Sequence, residues 1–157
     1  MSTSRPDFAP TALKDVKVAV ITAQWNAKIT HELEKGAVNR LSECGVTADN
    51  MLMVEVPGAV ELTYAASRII TSRPDIEAVI VFGAVVRGDT PHFDYVCQSV
   101  TQGVTALNAQ GSTPVIFGVL TVNSEQQALD RVGGPAGHKG IEAADTALAM
   151  ISLKRSF

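Results

Sequence analysis

The chain has 157 residues, 46% hydrophobic and 18% charged, with a net charge of −3 and a mean hydropathy of +0.16. That length suits one domain that buries roughly 70% of its unfolded surface and is cramped for two, and so apolar a composition in a small protein implies surface buried against copies of itself. The acidic balance, with no basic patch carrying interleaved aromatics, excludes a nucleic-acid binder, and no apolar run approaches the ~20 residues that span a bilayer. Two cysteines, Cys44 and Cys97, with no CxxC pair argue against a disulfide framework or a zinc site. The polar, proline-punctuated start does not read as a signal peptide, so the expected location is the cytoplasm and the expected state of both thiols is reduced.

Residues 1–13 read as a flexible arm and residues 14–157 as one domain. The β-branched run at 16–21 predicts a first strand, ending near Trp25-Asn26. From residue 28 the period changes to 3.6, with Ile29, Leu33, Ala37, Leu41 and Cys44 on one stripe and Gly45 as a stop, which predicts a crossover helix. A second strand is expected at 51–56, ended by Pro57-Gly58, a short apolar helix at 60–71, and a third strand at 77–82 that breaks at Gly83. A helix from 94 to 110 carries Val96, Val100, Val104 and Leu107 on one face, and 114–120 is a fourth buried strand. Ser124 and Gln127 have capping-box spacing for a short helix through Arg131. Glycines at 133, 134 and 137 then interrupt the chain before a last helix at 138–154. Four strands alternating with helices predict an α/β three-layer sandwich, a four-stranded parallel sheet with helices on both faces.

In that architecture the carboxyl ends of all four strands lie on one edge, where ligands bind, and each expected strand ends in an unusual loop. Trp25, the single tryptophan, either stacks on a planar heterocycle or packs on the sheet edge. Glu61 opens a helix, where the dipole alone favours a carboxylate. In Arg87-Gly88-Asp89-Thr90-Pro91-His92 a glycine, a hydroxyl and an imidazole precede a helix N-terminus, a setting for a phosphorylated small molecule with His92 as proton shuttle. Of the other two histidines, His31 reads as a solvated helix position and His138 as a capping neighbour. Arg131 and Lys139 are cations that meet a phosphate or lie near helix ends on the surface. The segment 133–139 fails as a nucleotide P-loop, because the GxxxxGK pattern needs glycine where His138 stands, and no GxGxxG follows the first strand. Arg87-Gly88-Asp89, the adhesion tripeptide, reads as a loop accident.

Three motifs carry a resemblance over nearly the whole chain: VPGAVEL at 56–62, GAVVRGDTPHFDYV at 83–96, and PVIFGVLT at 114–121 with EQQALDR at 125–131 and GHKGIEAA at 137–144. In this order and spacing they resemble the lumazine synthase family, whose fold is flavodoxin-like. The resemblance implies condensation of 5-amino-6-(D-ribitylamino)uracil with 3,4-dihydroxy-2-butanone 4-phosphate, the penultimate step of riboflavin synthesis, with no organic cofactor or metal. It implies His92 as proton shuttle and Arg131 as phosphate ligand, together with Gly88, Asp89 and Thr90. It further implies Lys139 near the reacting groups, Trp25 stacking on the pyrimidine where the family usually has phenylalanine, and Glu61 on the ribityl chain. Ala59, Val60, Val85 and Val86 would line the heterocycle, and Phe117 would come from a neighbouring subunit. The implied minimum assembly is a pentamer with sites between adjacent subunits, and Gly134-Pro135 favours no assembly beyond it. The competing class is a flavin- or lumazine-binding or shell-forming protein without turnover, against which the full set of His92, Arg131 and Lys139 argues.

Overall fold

The computed structural model describes residue 6 and residues 13–157; the arm expected over 1–13 otherwise lies outside the described residues. Four strands, β1 (Val18–Ala23), β2 (Met51–Val56), β3 (Ala78–Val86) and β4 (Val115–Val122), form one sheet in the order β2-β1-β3-β4, every pair parallel. All six residues of β1 and the first seven of β3 are buried, which is why both read as unbroken apolar runs: a central parallel strand is covered on both faces. The edge strands β2 and β4 contain exposed positions instead.

Alternation along the central strands divides the core into two layers. Val18, Val20, Ile80 and Phe82 face one way and pack with Leu33 and Leu41 of α1 (Ala27–Glu43) and Ala144, Leu148 and Ile151 of α5 (Lys139–Arg155). Ala19, Ile21, Val79 and Val81 face the other way, toward Leu62 and Ala66 of α2 (Leu62–Ser72) and Val100 and Val104 of α3 (His92–Gln110). Phe82 is fully buried, and a side chain of that size contributes about 1.5–3 kcal/mol by leaving water. Between α1 and α5 the buried Asp145 carboxylate accepts from Arg40 Nε at 2.6 Å.

Several boundaries differ from the sequence expectation. β1 begins at Val18, not residue 16. Gly83 does not break β3; the strand runs on to Val86, paired with β4 through Val86↔Val122. Gly83 lets the 3-10 turn Ala59–Glu61 and the start of α2 lie close against the strand: a Cβ there would meet Leu62 Cδ1 at 3.2 Å and Ala59 Cβ at 3.4 Å, a tight fit. α3 begins at His92, two residues before the expected start at 94, and α2 begins at Leu62 after that 3-10 turn, not at residue 60. The helix expected to reach Arg131 ends earlier, as α4 (Glu125–Leu129), with the Ser124 side chain capping Gln127 N as its spacing predicts. The glycine-rich interruption is itself structured, as an antiparallel ribbon of β5 (Val132–Gly134) and β6 (Gly137–His138).

Candidate functional site

The strand order creates a crevice. From β1 the chain moves outward to β2, then returns to place β3 on the other side of β1, and loops leaving β1 and β3 part at their carboxyl ends, as they do at the ligand site of doubly wound sheets. A cleft of about 490 Å³ lies there. Trp25 and Asn26 enter it from β1, and Ala59, Val60 and Glu61 from the turn after β2. Val85, Val86, Gly88, Thr90 and His92 enter it from the end of β3 and the start of α3. Nine residues singled out from the sequence therefore meet in one hollow. Asp89 sits in the same loop, exposed, but does not line it.

The walls of this cleft are held by the backbone. Gln24 N donates to Val56 O at 2.8 Å and Trp25 N to Pro57 O at 3.0 Å, tying the first two loops together. Asn26 adopts a left-handed conformation (φ 62°, ψ 44°), tolerable for asparagine, and its Nδ2 donates to Ala84 O at 2.7 Å. That bond spans the parting between β1 and β3 and contributes about 1 kcal/mol. The Gly88–His92 loop is pinned at its start, where Arg87 N donates to Val122 O at 2.8 Å and Arg87 Nε to Asn123 Oδ1 at 2.9 Å. The same guanidinium lies 4.4 Å from the Phe93 ring centroid, a cation–π contact worth about 0.5–1 kcal/mol where exposed. At its far end His92 N donates to Thr90 Oγ1 at 3.4 Å. His92 is the first residue of α3, at a helix N-terminus, whose dipole favours a neighbouring anion. Trp25 is 75% exposed at the rim of the cleft, so it does not pack on the sheet edge.

Cys97, on α3, does not line this cleft; burial, reinforced by the Asp94 carboxylate, pushes its thiol above the ordinary range, which disfavours the reactive thiolate.

The remaining three predicted residues lie elsewhere. Phe117, Arg131 and Lys139 line a separate apolar trough of about 890 Å³ between β4 and α5, and no lining residue is common to the two hollows. Phe117 is 43% exposed on the free edge strand. Arg131 Nη1 donates to Gln127 O at 2.7 Å, and Lys139 Nζ pairs with Glu142 Oε2 at 3.1 Å. Within one chain, then, Arg131 does not join the Gly88–Thr90 loop. Sequence reasoning missed Asn26 as a bridge, Arg87 as the loop anchor and Glu142 as the partner of Lys139. Only the last had a usable signal, an i,i+3 spacing of opposite charges.

Among the described residues no three His, Cys, Asp or Glu side chains gather as metal ligands would, and no helix is long and apolar enough to cross a membrane.

The chain is similar to known proteins over most of its length. The family model described as 6,7-dimethyl-8-ribityllumazine synthase matches residues 15–155. A protein of that name from Porphyromonas gingivalis is 54% identical over 142 residues, covering 90% of this chain and 88% of its own length. One from Bacteroides fragilis is 49% identical over 136 residues, 87% of this chain and 94% of its own. One from Micrococcus luteus is 48% identical over 157 residues, 98% of this chain and 94% of its own. With a cleft at the parting of β1 and β3, its proton-shuttle candidate at the head of α3, and a family match that runs through every element of the sheet, this chain belongs to the 6,7-dimethyl-8-ribityllumazine synthase family.

Proposed function

We propose that the chain catalyses the condensation of 5-amino-6-(D-ribitylamino)uracil with 3,4-dihydroxy-2-butanone 4-phosphate to 6,7-dimethyl-8-ribityllumazine, the penultimate step of riboflavin biosynthesis. The observation that carries this reading is the division of chemistry in a chain of this family: an imidazole in a cleft with an exposed tryptophan at its rim, and two cations in a second hollow beside an exposed phenylalanine. The pyrimidine amine adds to the ketone carbonyl, and loss of water gives an imine. Phosphate then leaves by elimination, the enol so formed tautomerises to a ketone, and closure of the ribityl-bearing nitrogen onto that new carbonyl expels a second water. Each step moves a proton and one releases a dianion.

His92 moves the protons, which is worth about 10²–10⁴-fold in rate. Trp25 stacks on the pyrimidine, while Ala59, Val60, Val85 and Val86 line the ring and Glu61 accepts from ribityl hydroxyls. Arg131 takes the phosphate by charge-assisted hydrogen bonds, with Gly88, Asp89 and Thr90 contributing amides and a hydroxyl, and Lys139 stands by the reacting groups. For Arg131 and Gly88–Thr90 to share one phosphate, two copies must meet, the trough of one against the cleft of the next. The minimum working unit is therefore a homo-oligomer, which we take to be a pentamer, with Phe117 crossing the interface. The catalytic domain spans residues 14–157, and the enzyme works in the cytoplasm without organic cofactor or metal.

The test is to mix the purified protein with both substrates and follow lumazine fluorescence above the uncatalysed background. A protein-dependent rise is expected. No rise from correctly assembled protein would overturn the assignment in favour of a binder without turnover.

A further inference from the structure

His138 takes no part in the chemistry above, yet its side chain is unusually placed. It is the N-cap of α5, and its Nδ1 accepts from Gly140 N at 3.1 Å and Ile141 N at 3.3 Å. Histidine is not among the favoured cap residues, which are asparagine, aspartate, serine and threonine, so this ring needs a built setting. It has one. The ring lies on Gly36 of α1, where a Cβ would overlap its Cε1, and against Gly140, where a Cβ would come within 2.9 Å of the same atom. On its open side the hollow between α1 and α5 presents Glu32, Lys35, Arg40 and Glu43.

The ring is joined through the backbone to the pair of cations in the trough. His138 is paired with Val132 in the β5–β6 ribbon, and the next residue, Lys139, donates its backbone N–H to Arg131 O at 2.9 Å. Arg131 and Lys139 thus share a backbone hydrogen bond, one step from a residue whose side chain is locked to α1 and α5 at once. We propose that His138 is a positioning residue for the Arg131–Lys139 pair, setting the first turn of α5 and through the ribbon the place where both cations meet the phosphate. The inference rests on the reading of Arg131 as the phosphate ligand.

Inorganic phosphate is the probe, its dissociation constant measured by calorimetry on the full-length protein at pH 7.5, with the Michaelis constants of both substrates measured alongside. His138→Ala is expected to weaken phosphate about three- to tenfold and to raise the Michaelis constant of the phosphorylated ketone alike, because a lost cap loosens cations whose contact is charge-assisted. The constant for the pyrimidine should stay within about twofold. His138→Asn, which supplies an acceptor without the ring, should restore most of the phosphate affinity. Gly36→Ala, remote in sequence, should reproduce the His138→Ala pattern by displacing the ring, and it decides the matter where His138→Ala does not fold. Phosphate affinity within twofold of wild type in Gly36→Ala or His138→Ala overturns the proposal, as does a His138→Asn variant no better than alanine. Arg131→Ala separates the two levels: if it too leaves phosphate unaffected, the reading of the site fails and this inference with it; if it weakens phosphate while His138→Ala does not, only the role of His138 falls.

Discussion

The cleft at the parting of β1 and β3 and the trough along β4 differ in how each is built. The cleft is assembled from three loops that a parallel topology brings to one edge, and backbone hydrogen bonds from Gln24, Trp25 and Arg87 hold it in place. The trough is formed by one edge strand and one helix face, and its apolar floor, with Phe117 exposed, is what a protein hides against another surface. One region is a hollow walled by loops from three strands, whereas the other is a cation-bearing surface open on one side. A reaction that needs both a proton shuttle and an anion site finds neither region sufficient by itself.

The comparison breaks most sharply at His92. His92→Ala should lower turnover by about 10²–10⁴-fold with assembly intact, measured as the initial rate of lumazine formation beside the sedimentation profile; near-normal turnover would remove proton transfer from the cleft. Arg131→Ala should act differently, raising the Michaelis constant for the phosphorylated ketone by about 10–100-fold through loss of a charge-assisted contact while that for the pyrimidine changes little. An equal rise for both substrates would mean that the two hollows are not chemically distinct.

Mixing those variants tests whether the hollows belong to the same site. If each site joins the cleft of one copy to the trough of the next, a co-assembled equal mixture of His92→Ala and Arg131→Ala subunits regenerates intact sites at about one interface in four, as follows for random neighbours in a closed ring. The assay is the rate after joint refolding, compared with the same subunits refolded apart. No recovery would place the whole site in one chain.

How far this was readable beforehand follows from where side chains carry the signal. The central strands were legible because burial on both faces leaves an uninterrupted run such as Ala78–Phe82, and the amphipathic stripe of α1 was legible because its period is fixed. The end of β3 was not, because Gly83 has the appearance of a break and only the approach of Leu62 and Ala59 explains its presence inside a strand. The β5–β6 ribbon was invisible for a related reason: three of its five residues are glycine, so no side-chain alternation exists to be read. His92, Trp25 and Glu61 were found by loop position, but Asn26 was not, since its bond to Ala84 O joins segments 58 residues apart. Arg131 and Lys139 were recognised as cations, yet the sequence alone could not separate them from the Gly88–Thr90 loop; that separation belongs to three dimensions.

The smallest expected effect concerns Trp25, and it sharpens the comparison from the side of the cleft. Its side chain is 75% exposed, so its removal should cost the fold within about 0.5 kcal/mol. Any larger consequence must come from the ligand. Trp25→Ala should raise the Michaelis constant of the pyrimidine by about three- to tenfold, the value of one aromatic stacking contact, and Trp25→Phe should stay within about twofold because a ring face remains. As the single tryptophan, Trp25 is also the cleft's own reporter. Its emission should be quenched when the pyrimidine is titrated in and should not respond to inorganic phosphate, because in the proposed site the groups that receive phosphate are cations of the trough and amides of the loop, not the indole. Quenching by both ligands alike would mean that occupation of one hollow reshapes the other.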